Sequence, residues 1–347
     1  MSRPLRLAAA VLSALTLAAC TAATEEPAST SAQAPAPAPA SGGDDGPTVE
    51  PVRVVVTTSI LGDLVATLVG GQGTVEVLIG PGVDPHTYAA SAADAAAMRD
   101  ADLVVANGLM HEEGLLSALE SAVADGARVI EVAPGLDPIP FGAGGHDHVR
   151  DRGDDHAEGD DHAHDHGDLD PHFWFDPLRA AVAGELVAAE LAAIRPEVDW
   201  ADRAASLRAD LEVLDAELVA AFATIPEARR KLVTNHDALG YLADRYGFEV
   251  VGTVIPGRST SAETDPASFA ALVDLLVAEG IDVVFAETTD GDTLARQLAS
   301  EVVGRGGLEV EVVTLFTGSL GPPGSGAETY VGLLRTDAAL IVAALAG

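Results

Sequence analysis

Beginning at Val52, short β-branched runs alternate with longer stretches whose apolar residues recur at helical spacing. Residues 52–57 form a continuous β-branched run that predicts a strand, and 60–69 predicts a helix. Strands follow over 74–79, 101–106 and 127–132, with helix-like stretches between the later pairs. Strand–helix alternation of this kind predicts a parallel sheet covered on both faces. The pattern breaks over 141–170, where Gly, Asp and His dominate and no apolar period survives, so this segment reads as a loop.

Two helical stretches come next. The first spans 176–194 and stops near Pro196; the second spans 198–223, with Leu207, Leu211, Leu214, Leu218 and Phe222 on one stripe and Pro226 just beyond. A helix of that length extends about 35–40 Å. The alternation then resumes, with strands over 231–235, 248–254, 281–287 and 308–315 and a last helix over 327–345. The expected fold class is α/β: two Rossmann-like lobes with parallel sheets, joined by one long rigid helix. The corresponding divisions are 52–197 for the N-terminal lobe, including the loop 141–170, then 198–224 for the linker helix and 225–347 for the C-terminal lobe.

The first fifty residues are of another kind. Arg3 and Arg6 precede an apolar run over 7–17 that is too short to span a bilayer. Leu17-Ala18-Ala19-Cys20 then resembles a bacterial lipobox, which makes 1–20 a signal peptide and Cys20 the lipidated N-terminus of an exported protein facing outward from the cell membrane. Residues 21–51, rich in Ala, Pro, Ser, Thr and Gly, cannot bury a core and read as a disordered tether. Cys20 is the only cysteine, so the folded part needs no disulfide.

Composition narrows the partners. With 19 Lys plus Arg against 54 Asp plus Glu, the formal charge is -35. That excludes nucleic acid, whose phosphates require clustered basic residues, and it favours cations. Aromatic residues are only 4% of the chain, so Ala, Val and Leu must build its cores.

Histidine carries the chemistry. Of ten, six lie in one acidic stretch: His146, His148, His156, His162, His164 and His166. Three more are isolated, each in a short distinctive setting: Asp84-Pro85-His86-Thr87-Tyr88, Asp170-Pro171-His172-Phe173-Trp174-Phe175-Asp176-Pro177 and Thr234-Asn235-His236-Asp237-Ala238. His86 and His236 fall after predicted strands, and ligands of open parallel sheets bind beyond the carboxyl ends of strands. Three neutral imidazoles and a fourth donor make a tetrahedral site for a divalent ion at about 2.0–2.1 Å. Asp84, Asp176 and Asp237 are the nearby carboxylates expected to fix the rings. The remaining histidine begins His111-Glu112-Glu113, which reads as an exposed helix start with Glu favoured by the helix dipole.

A catalytic zinc site could also be built from three histidines, with Glu287 as its general base. The sequence contains no His-Glu-x-x-His, no Gly-x-Ser-x-Gly and no Walker-type phosphate loop. The expectation is therefore not an enzyme.

These motifs, together with Ala101-Asp102-Leu103-Val104-Val105-Ala106-Asn107-Gly108, Tyr241, Arg245-Tyr246-Gly247, Phe285-Ala286-Glu287 and Thr329-Tyr330, resemble the cluster A-I metal-binding lipoproteins in that family's order. Those proteins are the substrate-binding components of zinc and manganese ABC importers. The resemblance implies two lobes bridged by a long helix with metal between them, and as partners an ABC permease and its ATPase; the protein itself is expected to be monomeric. One departure stands out. The family usually carries a ligand Asp in an Asp-Ser-Leu setting, whereas this chain reads Thr317-Gly318-Ser319-Leu320. A fourth ligand must then come from water, from Glu287 or from another loop.

Three imidazoles favour Zn2+ over Mn2+, which prefers oxygen-rich sites. The His-rich loop resembles the accessory metal loops of zinc receptors. The expected function is thus an extracytoplasmic zinc receptor delivering to a permease. The alternatives are a manganese receptor of the same family, a zinc buffer, a degenerate receptor that no longer binds metal, or a zinc-dependent hydrolase.

Overall fold

Strand β1 (Val52–Thr58) lies inside a four-stranded sheet with β2 (Gly73–Ile79), β3 (Leu103–Ala106) and β4 (Val129–Glu131), in the order β2-β1-β3-β4. All three pairings are parallel. A second all-parallel sheet has the order β6-β5-β7-β8, from β5 (Lys231–Thr234), β6 (Glu249–Thr253), β7 (Val283–Glu287) and β8 (Glu311–Leu315). The computed structural model describes residues 50–142, 169–255, 257, 259–262 and 264–347. Cys20, the leader, the tether up to residue 49 and the six histidines from His146 to His166 lie outside the described residues.

The central strands are the continuous apolar runs of the sequence. Four consecutive residues of β3 and five of β7 are buried, as sheets covered on both faces require. Their helices begin where local chemistry allows. Thr58 accepts the Leu61 N–H to cap α1 (Ser59–Val69), and Asp176 accepts the Leu178 N–H to cap α4 (Pro177–Ile194), whose Pro177 sits where no donor is needed. Helices α2 (Ala92–Asp100) and α3 (Leu116–Ala124) complete the first half. The second half adds α6 (Gly240–Tyr246), α7 (Pro266–Glu279), α8 (Thr293–Gly306) and α9 (Tyr330–Leu345).

The long helix α5 (Trp200–Phe222) has 23 residues, which gives about 35 Å. Its predicted stripe is buried: Leu207, Leu211, Leu214, Leu218 and Phe222 all face inward. The stripe packs mainly on α4, with further contacts to α1 and α9, so α5 touches both halves along its length. One apolar core is shared by the halves; it joins Val54, Leu64 and Trp174 to Leu211, Tyr246, Phe285 and Ile341. Two smaller clusters fill the outer faces of the sheets. Accordingly Val49–Gly347 is one compact unit. Among the described residues no helix is long and apolar enough to cross a membrane.

Candidate metal centre

The carboxyl ends of the two sheets supply most of the site. His86 lies in the loop after β2, His236 two residues after β5 ends, and His172 just before the short 3-10 turn Phe173–Phe175 that leads into α4. All three are buried, and one ring nitrogen of each lies within 4.8 Å of the others. The ring centroids are 5.8 Å apart for His86 and His172, 5.4 Å for His86 and His236, and 5.1 Å for His172 and His236.

The sequence folds this way through repeated local devices. In both Asp-Pro-His motifs the Asp accepts the backbone N–H of the His two residues on, Asp84 to His86 at 3.0 Å and Asp170 to His172 at 2.8 Å. Asp84 also accepts the Thr260 hydroxyl at 2.6 Å, which ties the His86 loop to the second half. Tyr241 donates to the Asp170 carbonyl at 2.9 Å, and Asn107 Nδ2 donates to the Pro171 carbonyl at 3.0 Å. Gly240 allows the start of α6 to approach closely, since a Cβ there would stand 2.6 Å from Asp170 Oδ2. Trp174 closes one wall, its indole donating to the Thr317 carbonyl at 3.0 Å and its ring 5.3 Å from that of His172.

Carboxylates fix two of the rings. His172 Nδ1 lies 2.7 Å from Asp170 Oδ1, and His236 Nδ1 is hydrogen-bonded to Glu287 Oε1. In the neutral rings these partners favour the proton on Nδ1, which leaves Nε2 as the acceptor. Yet the two Nε2 atoms face each other at 3.3 Å. Two lone pairs so close repel unless a cation lies between them. Nitrogens sharing a tetrahedral zinc at its usual bond length are separated by about 3.3–3.4 Å, so the observed spacing is that of two corners of such a site.

Electrostatics support neutral imidazoles. Burial pushes His86 down to about 4, with the charge of His236 acting in the same direction, and burial holds His172 well below its ordinary value. His236 differs. Burial acts to lower it, but the Glu287 carboxylate outweighs this and holds it above the usual imidazole value, while Glu287 itself, despite burial, is drawn down by His236 and by its hydrogen bonds. Burial raises Asp170 well above the carboxylate range.

Three expectations need correction. Asp84, Asp176 and Asp237 do not hold the rings: Asp84 takes a backbone N–H, Asp176 caps α4 and pairs with Arg179 and Arg245, and Asp237 accepts from Gly142 N. The partners are Asp170 and Glu287. Glu287 is turned to the outer nitrogen of His236, and its second oxygen accepts the Thr317 hydroxyl at 2.6 Å. Both its oxygens have partners, His236 on one and Thr317 on the other. Nor is His111-Glu112 an exposed helix start, since both residues are buried and α3 begins only at Leu116. Glu112 accepts from Thr57 Oγ1 at 2.5 Å and from the Asn107 and Gly108 N–H groups at 2.7 and 3.2 Å. His111 is thereby set beside the cluster, with its ring 4.8 Å from His86 and 5.5 Å from His172.

Two parallel-sheet halves with an imidazole cluster at their strand ends define the class of a metal-ion receptor. Residues 54–344 match the family described as zinc-uptake complex component A, periplasmic, and the chain belongs to that family, the metal-binding substrate-binding proteins of ABC importers. It is 30% identical over 295 residues to the zinc-binding protein TroA of Treponema pallidum, covering 84% of this chain and 88% of TroA. It is equally 30% identical over 301 residues to the manganese-binding lipoprotein MntA of Bacillus subtilis, covering 85% and 90%. The solved periplasmic zinc-binding protein TroA superposes with a TM-score of 0.73 at 27% identity, over 85% of this chain and 99% of that one.

Proposed function

We propose that this receptor captures one zinc ion through His86, His172 and His236 and delivers it to the permease of an ABC importer, whose ATPase drives uptake. The observation that carries this reading is the 3.3 Å approach of the His172 and His236 Nε2 atoms, each backed by a carboxylate on its other nitrogen. Imidazole nitrogens suit zinc better than manganese, and Gly318 supplies no side-chain oxygen. Cys20 would carry the lipid that anchors the receptor outside the cell membrane, with 21–51 as its tether and a monomer as the working form. His146, His148, His156, His162, His164 and His166 would gather metal beside the site. Both described ends of that segment support this role: Pro140 and Leu169 pair in an antiparallel bridge, and the Asp170 N–H donates to the Ile139 carbonyl at 2.8 Å, next to His172. The manganese reading keeps the same fold and partners and rests on the likeness to MntA.

The test is a titration of zinc against manganese on the full chain and on the chain lacking residues 146–166. One tight zinc site that survives the deletion and resists manganese is expected. Preferred manganese binding would reverse the choice of ion, and loss of most capacity with the deletion would make the protein a buffer.

A further inference from the structure

His111 stands outside the three-imidazole set, and the sequence places it at an exposed helix start rather than at the site. Its ring is buried, and among the described residues neither Nδ1 nor Nε2 has a hydrogen-bond partner. A buried imidazole with both nitrogens unsatisfied is costly in a folded protein, and such groups call for a partner. The surroundings offer an apolar wall on one side, the Trp174 ring at 5.0 Å, and the His86 and His172 rings on the other.

We propose that His111 is the fourth ligand of the bound ion, supplying the donor that Gly318 cannot. This rests on the three-imidazole site proposed above. Four imidazoles around one tetrahedral zinc have ring centroids about 5 Å apart, given the usual Zn–N length. His111 meets that spacing with two of the three, at 4.8 Å to His86 and 5.5 Å to His172, as closely as the three rings meet one another. Its nitrogens fall outside the 4.8 Å set formed by the other three residues, so ligation turns the ring toward His236. Nothing holds the ring back, because it has no hydrogen bond to break.

The backbone leading to His111 has the same character. Gly108, Leu109 and Met110 have φ of 87°, 53° and 65°, three successive residues in the left-handed region, two of them with side chains that disfavour it. Strain of this kind persists only where the surroundings enforce it. Here the Glu112 carboxylate enforces it by gripping the N–H groups of Asn107 and Gly108. The turn delivers His111 inward where a helix start would have left it in solvent. At the other side of the site, Gly318 has room for a side chain: a Cβ would lie 3.4 Å from Thr289 Oγ1 and 3.8 Å from Pro85 Cδ. The missing carboxylate is therefore not a steric requirement of the fold, and an all-nitrogen donor set follows, selective for zinc-like ions over manganese.

X-ray absorption at the zinc edge on the full chain with one equivalent of zinc counts the imidazoles without any substitution. Four are expected; three with a light oxygen scatterer overturn the proposal. Cobalt absorption and chelator competition on His111→Leu, His111→Gln and His236→Ala give a second readout. The His111 variants should change the cobalt spectrum and weaken zinc by at least the about 10–100-fold that loss of an outer partner costs. If they change neither while His236→Ala abolishes tight binding, His111 is no ligand and the three-imidazole site stands. If His236→Ala is also without effect, the three-imidazole reading fails, and this one with it.

Discussion

His172 and His236 come from different parts of the fold, yet their Nε2 atoms are 3.3 Å apart while Asp170 and Glu287 occupy the opposite nitrogens. The carboxylates select the tautomer, aim the lone pairs inward and make each ring a better donor. Glu287→Gln and Asp170→Asn keep the size of each side chain but put an amide where a carboxyl group stands. Each should weaken zinc by about 10–100-fold, measured by chelator competition, with the metal-free melting temperature as the control for folding.

Protons compete with the ion for the same nitrogens. The three imidazoles do not compete equally. Glu287 holds His236 above the ordinary imidazole value despite burial, whereas burial pushes His86 down to about 4 and His172 well below its usual value. On acidification a single proton, on His236, should therefore oppose binding, costing at most about tenfold in affinity per pH unit. Competition titrations at pH 7, 6 and 5 check the slope. A flat profile would contradict the three-imidazole site, and a three-proton slope would contradict the inequality among the rings.

Gly318→Asp should restore an oxygen donor. The position borders Pro85, and its neighbour is well anchored: Ser319 Oγ accepts the Gly82 N–H at 2.8 Å and lies 3.0 Å from Ser59 Oγ. A carboxylate placed there is held against the His86 loop. Manganese binding should improve relative to zinc by about tenfold, or about 1.4 kcal/mol, as read from the two-metal titration.

Asp337 in α9 is buried; among the described residues its Oδ1 accepts the Phe316 N–H at 3.0 Å and its Oδ2 has no hydrogen-bond partner. Burial raises it to about 7, against an unperturbed 3.8. Between those values the folded chain holds a proton that the unfolded chain releases, so stability falls as pH rises from 4 to 7 and levels off above. The difference is about 4 kcal/mol at 1.36 kcal/mol per unit. Asp337→Asn cannot titrate, so its denaturant midpoint should lose this share of the pH dependence and exceed the parent's at pH 8.

The sheets are legible in the sequence because strands buried on both faces read as unbroken β-branched runs such as Val54-Val55-Val56 and Val283-Val284-Phe285. The long helix is legible for a similar reason, since its leucines keep a strict helical period. The shared core is not, because periodicity shows that a face is apolar but not which partner covers it. Among the candidate site residues His86, His172 and His236 stand out by isolation and motif. Asp170 was present in a quoted motif, and its resemblance in spacing to Asp84 hides a difference in reach: only Asp170 bends to the ring. His111 escapes because Glu112 and Glu113 beside it carry the signature of a solvated surface. Its burial depends on a left-handed turn at Leu109 and Met110, residues that rarely adopt one.

The antiparallel bridge between Pro140 and Leu169 brings the two flanks of the acidic histidine stretch together beside His172. The entropy of closing a segment between two joined flanks grows only slowly with its length. Residues can therefore be added or removed between those flanks at little cost to the fold around His172.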